Sequence, residues 1–310
     1  MKDLFSLEGK IALVTGGSTG IGEMIAEGFL HFGAKVYIVA RREEILKKTQ
    51  EKLSKIGLCE YIVADLGSVN GVETLAKIFC EREQSLDILV NNAGISDGGT
   101  EIENITEETW DSVMDLNIKI IFFMIQKFLP LLRVGSSPET PKNVINIASI
   151  DGCGKLNSYY NYAYGVSKAG VIQLDRHLGD RLAWEGIHLN TISPGDFPSD
   201  LNTVARDNTE DIKKVIPAKR VGQKENIAGA AIFLASRAGN YSVGSNIVID
   251  GGESVRGIQR AFYAKIWPDL VNLERGISQN SIKTCNFETQ TLCSLIRSSK
   301  VSSTVARPED

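Results

Sequence analysis

Tyr164 stands four residues before Lys168 in the run Ala163-Tyr164-Gly165-Val166-Ser167-Lys168, and on a helix that spacing stacks a phenol and an ammonium on one face. A phenol of ordinary pKa, about 10, is a poor acid and a poor base near neutrality, and a cation held close to it favours the phenolate and lowers that value. Such a pair can pass a proton to or from a substrate oxygen. Tyr159, Tyr160 and Tyr162 lie nearby, but none has a lysine four residues later. Taken alone the spacing is common on solvated helices, so its meaning rests on what surrounds it.

A second stretch with chemical content is Thr15-Gly16-Gly17-Ser18-Thr19-Gly20-Ile21-Gly22, set between the apolar run 11–14 and a helical segment expected over 23–31. Strand, glycine loop and helix give a tight turn, close backbone approach and free N–H groups at a helix start, which is what a pyrophosphate needs. Gly16, Ser18, Thr19, Gly20, Ile21 and Gly22 are therefore expected to cradle a dinucleotide. The run 36–39 leads into Ala40-Arg41-Arg42, where an acidic residue would hold the ribose hydroxyls of NAD. Arg41 instead offers a forked, charge-assisted contact to a 2′-phosphate, so NADP(H) is the expected cofactor.

These residues need a scaffold that brings them to one edge. Short apolar, β-rich runs recur at 11–14, 36–39, 61–63, 88–90, 144–147, 187–192 and 247–249, separated by helix-length amphipathic segments. The alternation implies an α/β doubly wound Rossmann fold with a seven-stranded parallel sheet, buried on both faces. Residues 1–257 form that domain in this reading, and 258–310 an extension with a short helix over 261–273 and little order beyond Ser278. The run 135–141 has loop composition, and the polar, aromatic stretch 151–161 suits a substrate-facing loop.

Composition narrows the partners. The chain has 310 residues, 43% hydrophobic and 23% charged, and its formal net charge of −4 gives no footprint for nucleic acid or an anionic membrane. The longest apolar stretch, 118–134, carries Lys119, Gln126, Lys127 and Pro130 and reads as a buried helix, not a membrane span. The first ten residues resemble neither a signal nor a transit peptide. Five scattered cysteines without C-x-x-C spacing argue against a disulfide framework and a zinc site, and fit reduced thiols in a cytoplasmic chain.

Over residues 5–256 these motifs together resemble the short-chain dehydrogenase/reductase family: T-G-x-x-x-G-x-G from Thr15 to Gly22, N-N-A-G at Asn91-Asn92-Ala93-Gly94, Asn117, Ser149, Tyr164 with Lys168, and Pro194-Gly195. The nearest likeness is to 3-oxoacyl reductases of the rhamnolipid-biosynthesis type, carried by residues 5–18 and by Pro194-Gly195-Asp196-Phe197-Pro198-Ser199. The resemblance implies a general acid in Tyr164, a second hydrogen-bond donor in Ser149 and a water held by Asn117. It gives Lys168 two roles, lowering the Tyr164 pKa and bonding the nicotinamide ribose. It also implies cofactor contacts at Asp65, Leu66, Asn92, Ala93, Gly94, Tyr164, Pro194, Gly195, Phe197 and Ser199. No metal is required. The expected activity is interconversion of a ketone and a secondary alcohol, with a small 3-oxoacyl or related carbonyl substrate, in a homotetramer or homodimer packed through the long helices after the fourth and fifth strands. A polyol or sugar dehydrogenase is the second reading, and a non-catalytic NADP-binding regulator the third.

Overall fold

A computed structural model describes residues 3–99, 101–154 and 160–255. The extension 258–310, with the expected helix over 261–273, and part of the 151–161 loop lie outside the described residues. All seven expected strands are present, each a residue or two longer than its apolar run: β1 (Ile11–Thr15), β2 (Lys35–Ala40), β3 (Cys59–Val63), β4 (Ile88–Asn91), β5 (Lys142–Ile147), β6 (Ile187–Pro194) and β7 (Asn246–Ile249). They form one parallel sheet in the order β3-β2-β1-β4-β5-β6-β7. The chain reverses direction across the sheet between β3 and β4, so β1 and β4 flank the switch point where such folds open a ligand crevice.

The side-chain alternation of each strand feeds two cores. Ala12, Val14, Val36, Ile38, Ile88, Val90, Ile145 and Ile147 face one layer, made by α1 (Gly20–His31), α2 (Glu43–Leu53) and α9 (Lys224–Ala235). Leu13, Tyr37, Val39, Leu89 and Val144 face the other, made by α3 (Val69–Cys80), α5 (Ile120–Leu132) and α6 (Tyr162–Ala183). The inner strands lie covered on both sides, which is why their runs are continuously apolar, while the edge strands β3 and β7 leave Val63 and Val248 exposed. Among the described residues three further short α-helices are α4 (Glu107–Met114), α7 (Thr203–Asp207) and α8 (Thr209–Val215). Among the described residues no helix is long and apolar enough to cross a membrane.

The expected helix over 118–134 is buried as anticipated but is not continuous. Residues Asp115–Lys119 form a π-helical turn between α4 and α5, a device that inserts one residue and turns side chains off the regular helical stripe. Most of the apolar side chains of α5 (Ile120, Ile121, Met124, Ile125, Phe128, Leu131, Leu132) are used in the chain's own core.

Candidate active site

The phosphate loop starts where β1 ends. Its last glycines belong to the first turn of α1, which begins at Gly20 instead of the expected Glu23. The cap residue Thr19 makes no side-chain hydrogen bond to that turn, so the helix start keeps N–H groups for an anion. The loop is held from β4: Asn92 Nδ2 donates to the carbonyls of Thr15 (2.9 Å) and Gly16 (3.2 Å), while Thr15 Oγ1 accepts from the N–H groups of Asn92 (3.0 Å) and Ala93 (3.1 Å). Gly16 has φ +64, and a Cβ on Gly22 would stand 2.3 Å from the Gly16 carbonyl and 2.5 Å from Asn92 Nδ2. Only glycine fits either place. Thr49 of α2 donates to the Ser18 carbonyl at 2.8 Å, fixing the outer side of the loop.

Around this cradle the remaining expected contacts fall unevenly. Arg41 is exposed and has no ion pair among the described residues, while Arg42 pairs with Asp200 at 3.8 Å. Asp65 turns back on its own loop, accepting from Gly67 N at 3.0 Å, and Leu66 is buried in the core. A Cβ on Gly20 would lie 3.0 Å from Ser199 Cβ, which puts Ser199 against the phosphate loop. Pro194 ends β6 and Gly195 N donates to Ile249 O at 3.0 Å. The Phe197 ring is 1% exposed and packs over Gly222, so only its main chain is left to face a cofactor.

The second half of the site is built on α6. Asp97, in the loop after β4, accepts from Ala163 N at 2.9 Å and fixes the start of that helix. The 3₁₀ turn Ile150–Cys153 presses on α6 so closely that a Cβ on Gly152 would stand 2.5 Å from the Lys168 carbonyl carbon. Ser149 caps that turn, accepting from Asp151 N at 3.2 Å, and its hydroxyl faces the Tyr164 phenol closely enough to favour the phenolate. Lys168, 3% exposed, donates to the Ile147 carbonyl at 2.8 Å, with its Nζ 5.5 Å from the centre of the Tyr164 ring. Gly94 closes the group, since a Cβ there would meet Asn117 Oδ1 at 3.1 Å and Lys168 Nζ at 3.5 Å. Asn117, Ser149, Tyr164, Lys168 and the end of β4 thus share one corner of the carboxyl edge of the sheet.

Two expectations change here. Asn117 sits in the π turn and spends its amide on the chain itself: Oδ1 accepts from Ile95 N at 2.9 Å, and Nδ2 donates to Ile95 O at 2.8 Å and Ser167 Oγ at 3.1 Å. Both donors are used, and only one lone pair of Oδ1 is left for a water. Tyr164 is not lowered by Lys168. Burial pushes the phenol up to about 12, the facing Ser149 hydroxyl lowers it, and Asp151 and Asp97 raise it. Lys168 Nζ donates to Ile147 O, and burial depresses the ammonium to about 8. Thr15, Asp97 and Ser167 were not singled out as site residues, although Thr15 is the first letter of the glycine motif. Asp97 and Ser167 carry no sequence signal, because their roles depend on contacts between distant segments.

A doubly wound sheet with a glycine cradle on one side of its crevice and a phenol, hydroxyl and ammonium on the other defines a nucleotide-dependent oxidoreductase of alcohols and carbonyls. Residues 16–254 match the family model described as Enoyl-(Acyl carrier protein) reductase. The chain is 46% identical over 255 residues to the rhamnolipids biosynthesis 3-oxoacyl-[acyl-carrier-protein] reductase of Pseudomonas aeruginosa, covering 81% of this chain and 99% of that one. It is 35% identical to a 2-dehydro-3-deoxy-D-gluconate 5-dehydrogenase of Bacillus subtilis, covering 81% and 97%. Among solved structures it resembles the RhlG/NADP active-site complex of P. aeruginosa with a TM-score of 0.79 and 46% identity, over 82% of this chain and all of that one. The chain belongs to the short-chain dehydrogenase/reductase family.

Proposed function

We propose that this enzyme uses NADP(H) to reduce a ketone to a secondary alcohol, with 3-oxoacyl compounds as its substrate class. The observation that carries the reading is the corner itself, which sets Ser149 beside a Tyr164 phenol that burial raises to about 12, with Lys168 Nζ 5.5 Å from the centre of that ring. At neutral pH such a phenol keeps its proton, as a donor to a developing alkoxide must. Ser149 supplies the second hydrogen bond to that oxygen. Lys168 backs the phenol and anchors the corner on Ile147 O. The P. aeruginosa relative, a 3-oxoacyl reductase by name whose solved structure is an NADP complex, supports both substrate class and cofactor.

The residues fit the dinucleotide. Gly16 and Gly22 have no room for a Cβ, so the loop keeps the tight turn and the helix start with free N–H groups that a pyrophosphate requires. Gly16, Ser18, Thr19, Gly20, Ile21 and Gly22 would hold the phosphates, Arg41 the 2′-phosphate, Asp65 and Leu66 the adenine side, and Asn92, Ala93 and Gly94 the ribose side. Pro194, Gly195, Phe197 and Ser199 would line the nicotinamide end. When bound, the cofactor supplies the hydride, and the protein supplies placement and the proton.

We further read the chain as a cytoplasmic homodimer or homotetramer. Trp110, Phe122 and Val166, exposed on α4, α5 and α6, support association; Cys59, Cys80 and Cys153, all free thiols, fit a reducing compartment. A sedimentation mass equal to one chain would remove the first claim. The function itself is tested by NADPH oxidation across ketones of three kinds: 3-oxoacyl thioesters, keto sugars and simple ketones. Preference for the thioesters supports the reading. Preference for keto sugars moves the enzyme to the activity of its B. subtilis relative, and NADPH binding without turnover moves it to a regulator.

A further inference from the structure

Asp175 is a carboxylic acid 1% exposed in the core of the sheet, with no role in the chemistry described above. It lies on α6, and at 100° per residue it falls about 20° from both Tyr164 and Lys168 around the helix. The same face of α6 therefore carries the phenol, the ammonium and, two turns further on, this acid. Asp175 Oδ1 accepts from Asn146 Nδ2, and Oδ2 accepts from Thr191 Oγ1. Asn146 Oδ1 in turn accepts from Asn91 Nδ2 at 2.7 Å. One chain of hydrogen bonds thus crosses β4, β5 and β6 and ends on α6.

Its position within β5 matters most. Asn146 immediately precedes Ile147, whose carbonyl holds Lys168, and stands three residues before Ser149. Asn91 immediately precedes Asn92, which holds the phosphate loop. Hydrophobic contact alone lets a helix slide along a sheet by fractions of an ångström, whereas directional bonds to buried groups fix its register. We propose that Asp175 is a positioning residue, which sets the register of α6 on β5 and β6 and so holds Tyr164 and Lys168 against Ser149. The proposal rests on the ketone-reductase reading for its role in turnover. The bonds require an acceptor at Oδ1 and a group that can pair with the Thr191 hydroxyl. Asparagine meets both demands, because the hydroxyl can turn to accept from the new amide.

The test compares Asp175→Ala, Asp175→Asn and Thr191→Val with the unaltered chain, in NADPH-dependent ketone turnover and in NADPH binding by nicotinamide fluorescence. For Asp175→Ala, kcat is expected to fall about tenfold or more, the scale of losing buried bonds to a charged group. Asp175→Asn should retain kcat within about threefold, and Thr191→Val should lose about threefold. A folded Asp175→Ala with unchanged kcat overturns the proposal, and so does an Asp175→Asn as slow as the alanine variant. Should the alanine variant not fold, an unchanged kcat in Thr191→Val overturns it equally. If the unaltered chain binds NADPH but reduces no ketone, the functional reading fails instead. Positioning is then read in the NADPH dissociation constant, raised by Asp175→Ala through Lys168 and spared by Asp175→Asn; equal constants in all three proteins would defeat it.

Discussion

The two sides of the crevice are built by opposite means. The cradle at β1, α1 and the end of β4 is made of backbone: glycines that admit no Cβ, carbonyls tied by Asn92, and a helix start with free N–H groups. The catalytic corner at the end of β5 and the face of α6 is made of side chains, Lys168 buried and Tyr164 half-buried, whose pKa values the fold has moved, Tyr164 up to about 12 and Lys168 down to about 8. A backbone site is damaged by adding atoms, and a side-chain site by removing them. Lys168 and Gly94 touch both regions, since Gly94 faces Asn117 and Lys168 from the end of β4.

The largest effect is therefore expected where the regions join. Lys168→Met should lower kcat/KM by about a thousandfold and raise KM for NADPH as well, because it removes the anchor on Ile147 O and the cation beside Tyr164 together. A change in kcat alone would assign Lys168 to the corner only.

The next largest belongs to the corner's foundation. Burial raises the Asp175 carboxyl from 3.8 to about 6, so the folded chain holds this proton more tightly than the unfolded one. Its stabilising effect is complete below about pH 4 and is lost as the pH rises towards 6, and above that the buried anion is a cost. Asp175→Asn should accordingly be more stable at pH 8, by up to about 3 kcal/mol. In urea unfolding the gain should shrink to roughly half at pH 5. A pH-independent gain would show that the charge is not its cause.

A hundredfold effect is expected from the cradle. Gly22→Ala drives a Cβ into the Gly16 carbonyl and Asn92, and should weaken NADPH binding by about two orders of magnitude, read by fluorescence titration. At saturating NADPH its kcat should be near normal, which separates it from any corner variant. The smallest effect lies at the rim, where Arg41→Ala should raise KM for NADPH about tenfold and leave that for NADH nearly unchanged. Equal changes would remove Arg41 from cofactor choice.

Much of this was legible in the residue order because the signals were local. The seven strands announced themselves as apolar runs, and Gly16, Gly20 and Gly22 as a loop between strand and helix. Tyr164 and Lys168 share a helix face by arithmetic alone. What was illegible depends on contacts between segments far apart in sequence. Nothing near Asn117 announces a π turn, because the turn answers to the Ile95 peptide that Asn117 clasps. Burial raises the phenol, and burial is a property of the whole fold. Asp175 resembled a solvated charge among Arg176, Asp180 and Arg181 until β5 and β6 closed over it.

The central claim is that the Tyr164 hydroxyl donates the proton and that NADPH binding does not depend on that hydroxyl. Tyr164→Phe keeps the ring and deletes the hydroxyl, so stopped-flow NADPH oxidation and fluorescence binding on the same preparation test both halves. The expected result is a kcat lowered by about a hundredfold or more with NADPH affinity within about twofold. Turnover that survives the loss of the hydroxyl undiminished would contradict the account.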